Sequence, residues 1–182
     1  MLTSFTRTVD RINEHLGRAV SWLALIMVLV QFAVVLLRYV FGIGWIWMQE
    51  SIIYMHAIIF LTAAGYTLLH DGHVRVDIFY GGMSMRAKAI VNFCGGVIFL
   101  LPMCGIIVWS SLGFVTRAWD VLEGSPEGDS GIPGVYLLKS VILAFSALVA
   151  LQGLALMARS LLTLSGEEPP EAPAPDIQGE GV

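Results

Sequence analysis

Two oppositely charged residues sit where apolar stretches of this sequence end and begin. Arg38 lies near the end of one long apolar run, and Glu50 opens the next. A carboxylate facing the interior of a membrane bundle can carry a proton or bind a partner, and a nearby cation can pair with it. Two simpler roles also fit. Glu50 at a helix N-terminus is stabilised by the helix dipole, and Arg38 near a span end can snorkel to the interface. His56 is the one histidine inside an apolar run. A bis-histidine haem needs a second histidine at matching depth on a facing helix, so His56 is expected to hydrogen-bond within a helix interface. His70, His73 and Asp77 share a short connection but do not supply a closing set of four metal ligands. No nucleophile elbow, phosphate loop or zinc-protease motif occurs, and Ser51 and Tyr54 have no adjacent base. The expectation is a non-enzyme with no cofactor and no metal.

The elements that carry these residues follow from composition. Of 182 residues, 57% are hydrophobic and 13% charged, with a net charge of -4. Mean hydropathy is +0.78. So few charges cannot cover a soluble surface of this size. A disordered chain, a nucleic-acid binder and most soluble enzymes are excluded. Four apolar runs stand out: Val20 to Phe41, Ser51 to Leu69, Ala89 to Val115 and Val141 to Ala158. At 1.5 Å per residue each approaches or exceeds a hydrocarbon core of about 30 Å. Continuous rather than alternating runs favour helices over barrel strands. The expected fold is an all-α membrane protein of four transmembrane helices, at about 20–41, 51–69, 89–115 and 136–160. The third is overlong and should tilt, and Pro102 should kink it. The first run is too long for a signal-peptide core and has no cleavage site after it, so it should stay as an anchor.

The flanking segments have their own signatures. In residues 1–19, Phe5, Val9, Ile12 and Leu16 recur at helical spacing among polar residues. This segment is either an amphipathic helix in the headgroup region or an extension of the first span. Between spans two and three, Asp71-Gly72 marks a turn, Val74, Val76 and Ile78 alternate with polar residues, and Ser84 is placed to cap the third span. The loop 116–134 carries Asp120, Glu123, Glu127 and Asp129, but not at calcium-loop spacing. Residues 165–182 form an acidic, Pro-rich tail expected to be disordered.

Lys and Arg set the orientation. Arg7, Arg11, Arg18, Arg75, Arg86, Lys88 and Arg159 fall on one side, and Arg38, Arg117 and Lys139 on the other. The positive-inside rule places both termini in the cytoplasm. Trp45 and Trp119 then anchor the outer membrane–water interface, with Trp47 beside them, and Trp22 the inner one. Gly95, Gly96 and Gly105 on span three, and Ser146, Ala147, Ala150 and Gly153 on span four, are small enough for close helix contact. Cys94 and Cys104 are too far apart on one helix to bridge and read as small apolar residues.

The run GWIWMQE, followed by YxxHAxxFLxxxGYxLxxDGHVRVDIFY, resembles the small permease subunit of tripartite ATP-independent periplasmic (TRAP) transporters, the DctQ family. Within the family it is most similar to the branch labelled for mannitol, chloroaromatic compounds or 2-oxo acids. Glu123 and Ser125, and Gln152-Gly153, also match, and the resemblance covers roughly residues 10–162. It implies partners. A periplasmic solute-binding protein captures an organic acid or related solute. A large multi-span permease subunit moves it inward on an ion gradient, usually sodium. The small subunit, in the bacterial inner membrane, is a scaffold beside which the large one moves. No substrate site is then expected on this chain. Arg38, Trp47, Glu50, His73, Arg75 and Asp77 are expected to organise the bundle or dock the large subunit. The rival readings are an autonomous homodimeric proton-coupled exporter using Glu50, and a cofactor-holding redox anchor.

Overall fold

The computed structural model describes residues 2–73 and 80–170. Arg75, Asp77 and the alternating stretch around them lie outside the described residues, as do residues 171–182 of the tail. Four helices alternate in direction: α1 (Leu2–Val40), α2 (Ile46–Leu69), α3 (Met85–Asp120) and α4 (Val135–Ser165). Each is long and apolar enough to cross a membrane. Among the described residues there is no strand, and one 3-10 turn, Gly128–Ser130, interrupts the loop between α3 and α4. The fold is the all-α, four-span architecture the apolar runs predict. The helices outlast those runs because polar flanking residues continue the helical backbone beyond the hydrocarbon.

α1 is one unbroken helix, so the N-terminal segment extends the first span. Its polar stripe faces inward. Thr6, Asp10, Asn13 and Glu14 are buried, whereas Phe5 and Ile12 are exposed. The polar stripe of a surface helix normally faces water, and here it packs against α2 and α4 instead.

Helix ends follow local chemistry. Ser84 caps α3 as expected, its Oγ accepting the Ala87 N–H at 3.3 Å. Pro102 has no N–H to continue the ladder. The helix meets this with a π-helical stretch, Gly96–Leu100, in which the Leu101 N–H reaches back five residues to the Gly96 carbonyl. α2 closes with the Gly72 N–H on the Thr67 carbonyl at 2.8 Å, which puts Asp71 at φ 55°. α3 closes likewise, the Glu123 N–H reaching the Ala118 carbonyl at 2.9 Å with Leu122 at φ 44°. Asparagine, aspartate and glycine tolerate that region; leucine is strained there.

α4 is the hub, packing against each of the other three helices, while α3 leans mainly on α4. Small residues set the spacing. A Cβ on Gly17 would fall 2.2 Å from the Tyr66 ring, and one on Gly65 would fall 2.1 Å from Asn13 Oδ1. Gly96 lies under Met157 and Gly153 under Leu100 in the same way, at 2.7 and 2.4 Å. These are the close approaches that hold membrane helices together without a hydrophobic driving force. Gly96, Gly153 and Ser146 therefore meet the expectation of close contact. Gly95 and Gly105 have open space beside them, and Ala147 is exposed. The helical phase, about 100° per residue, turns Gly95 away although Gly96 faces α4. Cys104 is buried and Cys94 exposed; neither forms a disulfide.

Candidate functional site

The polar residues collect at the two ends of the bundle. At the end where α1 begins and α4 finishes, seven polar side chains from three helices interlock. Asn13 Nδ2 donates to Gln152 Oε1 at 2.8 Å, and Gln152 Nε2 donates to Asp10 Oδ1 at 3.1 Å. Arg159 donates from Nη2 to the other Asp10 oxygen. Glu14 is shared: Arg18 Nε donates to one oxygen at 2.8 Å, and His70 Nε2 lies 2.8 Å from the other. The His70 ring in turn packs on Tyr66, with centroids 4.3 Å apart. Asn13 is 1% exposed and Gln152 0%, so both amides bond to protein groups in place of water, while Asn13 Oδ1, His70 Nδ1 and Arg159 Nε are buried without a hydrogen-bond partner among the described residues. In a low-dielectric interior such a network is costly when incomplete and rigid when satisfied. It ties α1 to α2 through Glu14–His70 and α1 to α4 through Asp10–Arg159.

The opposite end is organised by Glu50. Ser125 donates its hydroxyl to Glu50 Oε1, and the Ile132 N–H donates to Oε2 at 2.7 Å. One carboxylate on the first turn of α2 thus holds both limbs of the α3–α4 loop. Beside it, Lys139 pairs with Glu123 and its Nζ stands 3.9 Å from the Phe114 ring centroid. Trp119 donates to Ser140 Oγ at 2.8 Å and meets Tyr136 edge-on at 4.7 Å.

Arg38 and Glu50, which could pair across the α1–α2 turn, do not do so among the described residues. Arg38 is exposed and makes no ion pair among the described residues; its guanidinium nitrogens lie over Gly44, about 3.7 and 3.8 Å from where a Cβ would stand. Glu50 points instead toward the loop, whose N–H and hydroxyl donors are stationary and close. His56 is also placed differently from expectation. It lies on the exposed face of α2, stacked at 6.1 Å on Phe60 one turn away and sharing that face with Ile53, three residues before it. His73 is exposed at the end of α2, and Trp22, Trp45, Trp47 and Trp119 all reach the surface. Trp109, not singled out by its sequence context, is 86% exposed in the middle of α3.

The interlocking cluster at the α1 start was hidden in the sequence. Asp10, Asn13 and Glu14 look like the wet face of an amphipathic helix when read alone. The signal that could have found them is on α4. Gln152 and Arg159 are seven apart and so share a helix face. A polar stripe on one helix together with a polar pair inside another implies that the two meet.

A family model described as the DctQ component of tripartite ATP-independent periplasmic transporters matches residues 27–163. No curated protein and no solved structure matched the chain.

Proposed function

We infer the role of this chain from one premise: it belongs to the DctQ component family of tripartite ATP-independent periplasmic transporters, and is thus the small membrane subunit of a transport system rather than an enzyme. The observation that carries this is the family match across more than half the chain, laid over four membrane-crossing helices. The family implies two partners, a large permease subunit and a periplasmic solute-binding protein.

Beyond that membership, the proposed role is a scaffold. The chain sits in the bacterial inner membrane with both termini in the cytoplasm, as its Lys and Arg distribution favours. It holds the large subunit while that subunit carries an organic acid or related solute inward on an ion gradient, sodium being the proposed ion. The run from Trp45 to Glu50 and the HVRVD piece favour the mannitol, chloroaromatic or 2-oxo acid branch. Two polar networks that lock the helices at both ends suit a part that stays still while its neighbour moves. Trp22, Trp45 and Trp119 fix its depth.

The docking face is proposed to include Arg38, Trp47 and His73 at the bundle edges, with Arg75 and Asp77 beside the last. Glu50 acts indirectly, by shaping the outer loop. The His56 imidazole and the Trp109 indole both lie exposed within helices that cross the membrane. Polar groups in hydrocarbon need a partner, so these two mark surfaces a protein covers. The exporter reading needs Glu50 to take up and release protons, whereas both of its oxygens are already held by Ser125 and Ile132.

The test is a mild-detergent pull-down of the tagged chain from its native membrane, read by mass spectrometry. A large multi-span permease at near-equal stoichiometry is the expected result. Recovery of this chain only with copies of itself would reject the scaffold and restore the exporter.

A further inference from the structure

α2 and α3 diverge on either side of α4, and the space between them is open. A groove of about 450 Å³ runs along α3 there, with Phe99, Leu100 and Met103 on one wall and Leu68 and Leu156 opposite. Its walls are almost wholly apolar apart from one end. That end is lined by His73, at the edge of the proposed docking face, with Tyr80 and Asn92, which bond to each other, Asn92 Nδ2 donating to the Tyr80 hydroxyl at 3.0 Å. Both also line a second, smaller hollow of about 210 Å³, which adds Lys88, Arg159, Ser160 and Thr163. Tyr80, Asn92 and Leu156 belong to both, so the two spaces adjoin as one cleft.

Among the described residues the charges at this mouth are unbalanced. Arg159 is neutralised by Asp10. Lys88 has no carboxylate partner among the described residues; its Nζ stands 5.3 Å from the Tyr80 ring centroid. A cation at the membrane end of a helix, above an apolar channel that leads toward the bilayer middle, is complementary to an anionic headgroup with an acyl chain below it. A wholly apolar partner helix would match the groove but would leave Lys88 without a counter-charge.

We propose that this cleft is a binding site for one anionic phospholipid of the adjoining leaflet. Its headgroup phosphate pairs with Lys88 beside Asn92, and one acyl chain fills the groove along Phe99, Leu100 and Met103. The lipid then wedges α3 against α4 where α2 gives no support.

The full-length chain, with any subunit that accompanies it, is stripped of endogenous lipid in mild detergent. It is then loaded with dioleoylphosphatidylglycerol or dioleoylphosphatidylcholine, and bound lipid is counted by native mass spectrometry. The anionic lipid should be retained about fivefold better, the preference one surface lysine supplies. Lys88→Gln should bring its retention down to that of the zwitterionic lipid. Gly95 lines the groove with open space at its Cβ position. Gly95→Leu should therefore fill the channel without disturbing the α3–α4 contact and lower retention of both lipids; circular dichroism confirms that the helices persist. Equal retention of the two lipids, or retention unchanged in both variants, overturns the site. So does inorganic phosphate displacing the lipid, which would mean an anion site only. So does loss of lipid whenever a partner subunit is bound, which would mean that protein covers the groove.

Discussion

Asn13 and Gln152 stand 139 residues apart in the chain and meet at 2.8 Å in the dry space between α1 and α4. Neither has contact with water, and Gln152 passes the connection on to Asp10. The first and last helices of the bundle are joined through two neutral amides, with charge pairs on either side.

Replacing Gln152 with Leu removes both bonds and leaves Asp10 and Asn13 buried without them. Each stranded group costs about 1–3 kcal/mol, so the melting temperature in detergent should fall by several degrees. Gln152→Glu should be worse than Gln152→Leu, because it sets a second carboxylate against Asp10. An E variant at least as stable as wild type would show that the network is not tightly closed.

Gly65 is a contact glycine and Gly95 is not. Gly65→Ala should drive a methyl into Asn13 and cost about 1–3 kcal/mol by overpacking. Gly95→Ala should be neutral or stabilising, since alanine is the better helix former by about 1 kcal/mol. Thermal melts of the two variants side by side decide the matter, and similar losses would contradict the packing described.

Leu122 adopts φ 44°, a region that penalises a branched side chain by about 1–2 kcal/mol. Leu122→Gly relieves this, less the extra freedom glycine gains in the unfolded chain, for a net gain of about 1 kcal/mol. Hydrogen exchange at the end of α3 should slow. Asp71→Gly should gain less, because aspartate is already tolerated there.

Glu50→Gln weakens two charge-assisted bonds to the α3–α4 loop, each worth about 1.5–3 kcal/mol. Residues 123–134 should exchange and be cleaved by protease faster while the helices stay intact. Ser125→Ala removes one of the two bonds and should give a smaller effect. If the loop is equally protected in E50Q, the carboxylate is not what holds it.

Trp45→Ala with Trp47→Ala removes two exposed indoles from the turn into α2. Assembly with the large subunit and solute uptake should both fall. Unchanged uptake would show that these rings do not fix the depth of the bundle.

The spans were legible because a bilayer demands about twenty apolar residues in a row, and this chain supplies four such runs. The Ser84 cap and the turn at Asp71 were legible because their chemistry is local. Glu50 could be singled out, but not its partners, since Ser125 and Ile132 reach it only after α3 has crossed the bundle. His56 sits on an exposed face rather than in a helix interface for a related reason. A residue's depth can be read from its run, whereas the face it turns to depends on which neighbour that helix meets. The polar stripe of α1 was the largest surprise, because inward-facing and water-facing polar residues have the same spacing.

That α4 touches every other helix bears on how the protein is made. The ribosome releases α4 last, so the first three spans enter the membrane before their common neighbour exists. Until then Asp10 and Asn13 have neither Gln152 nor Arg159 to bond, and Gly96 has no Met157 above it. A chain interrupted before residue 135 would thus carry three helices, with Asp10 and Asn13 on the polar stripe of α1 uncovered. The bundle therefore closes only when its last helix arrives.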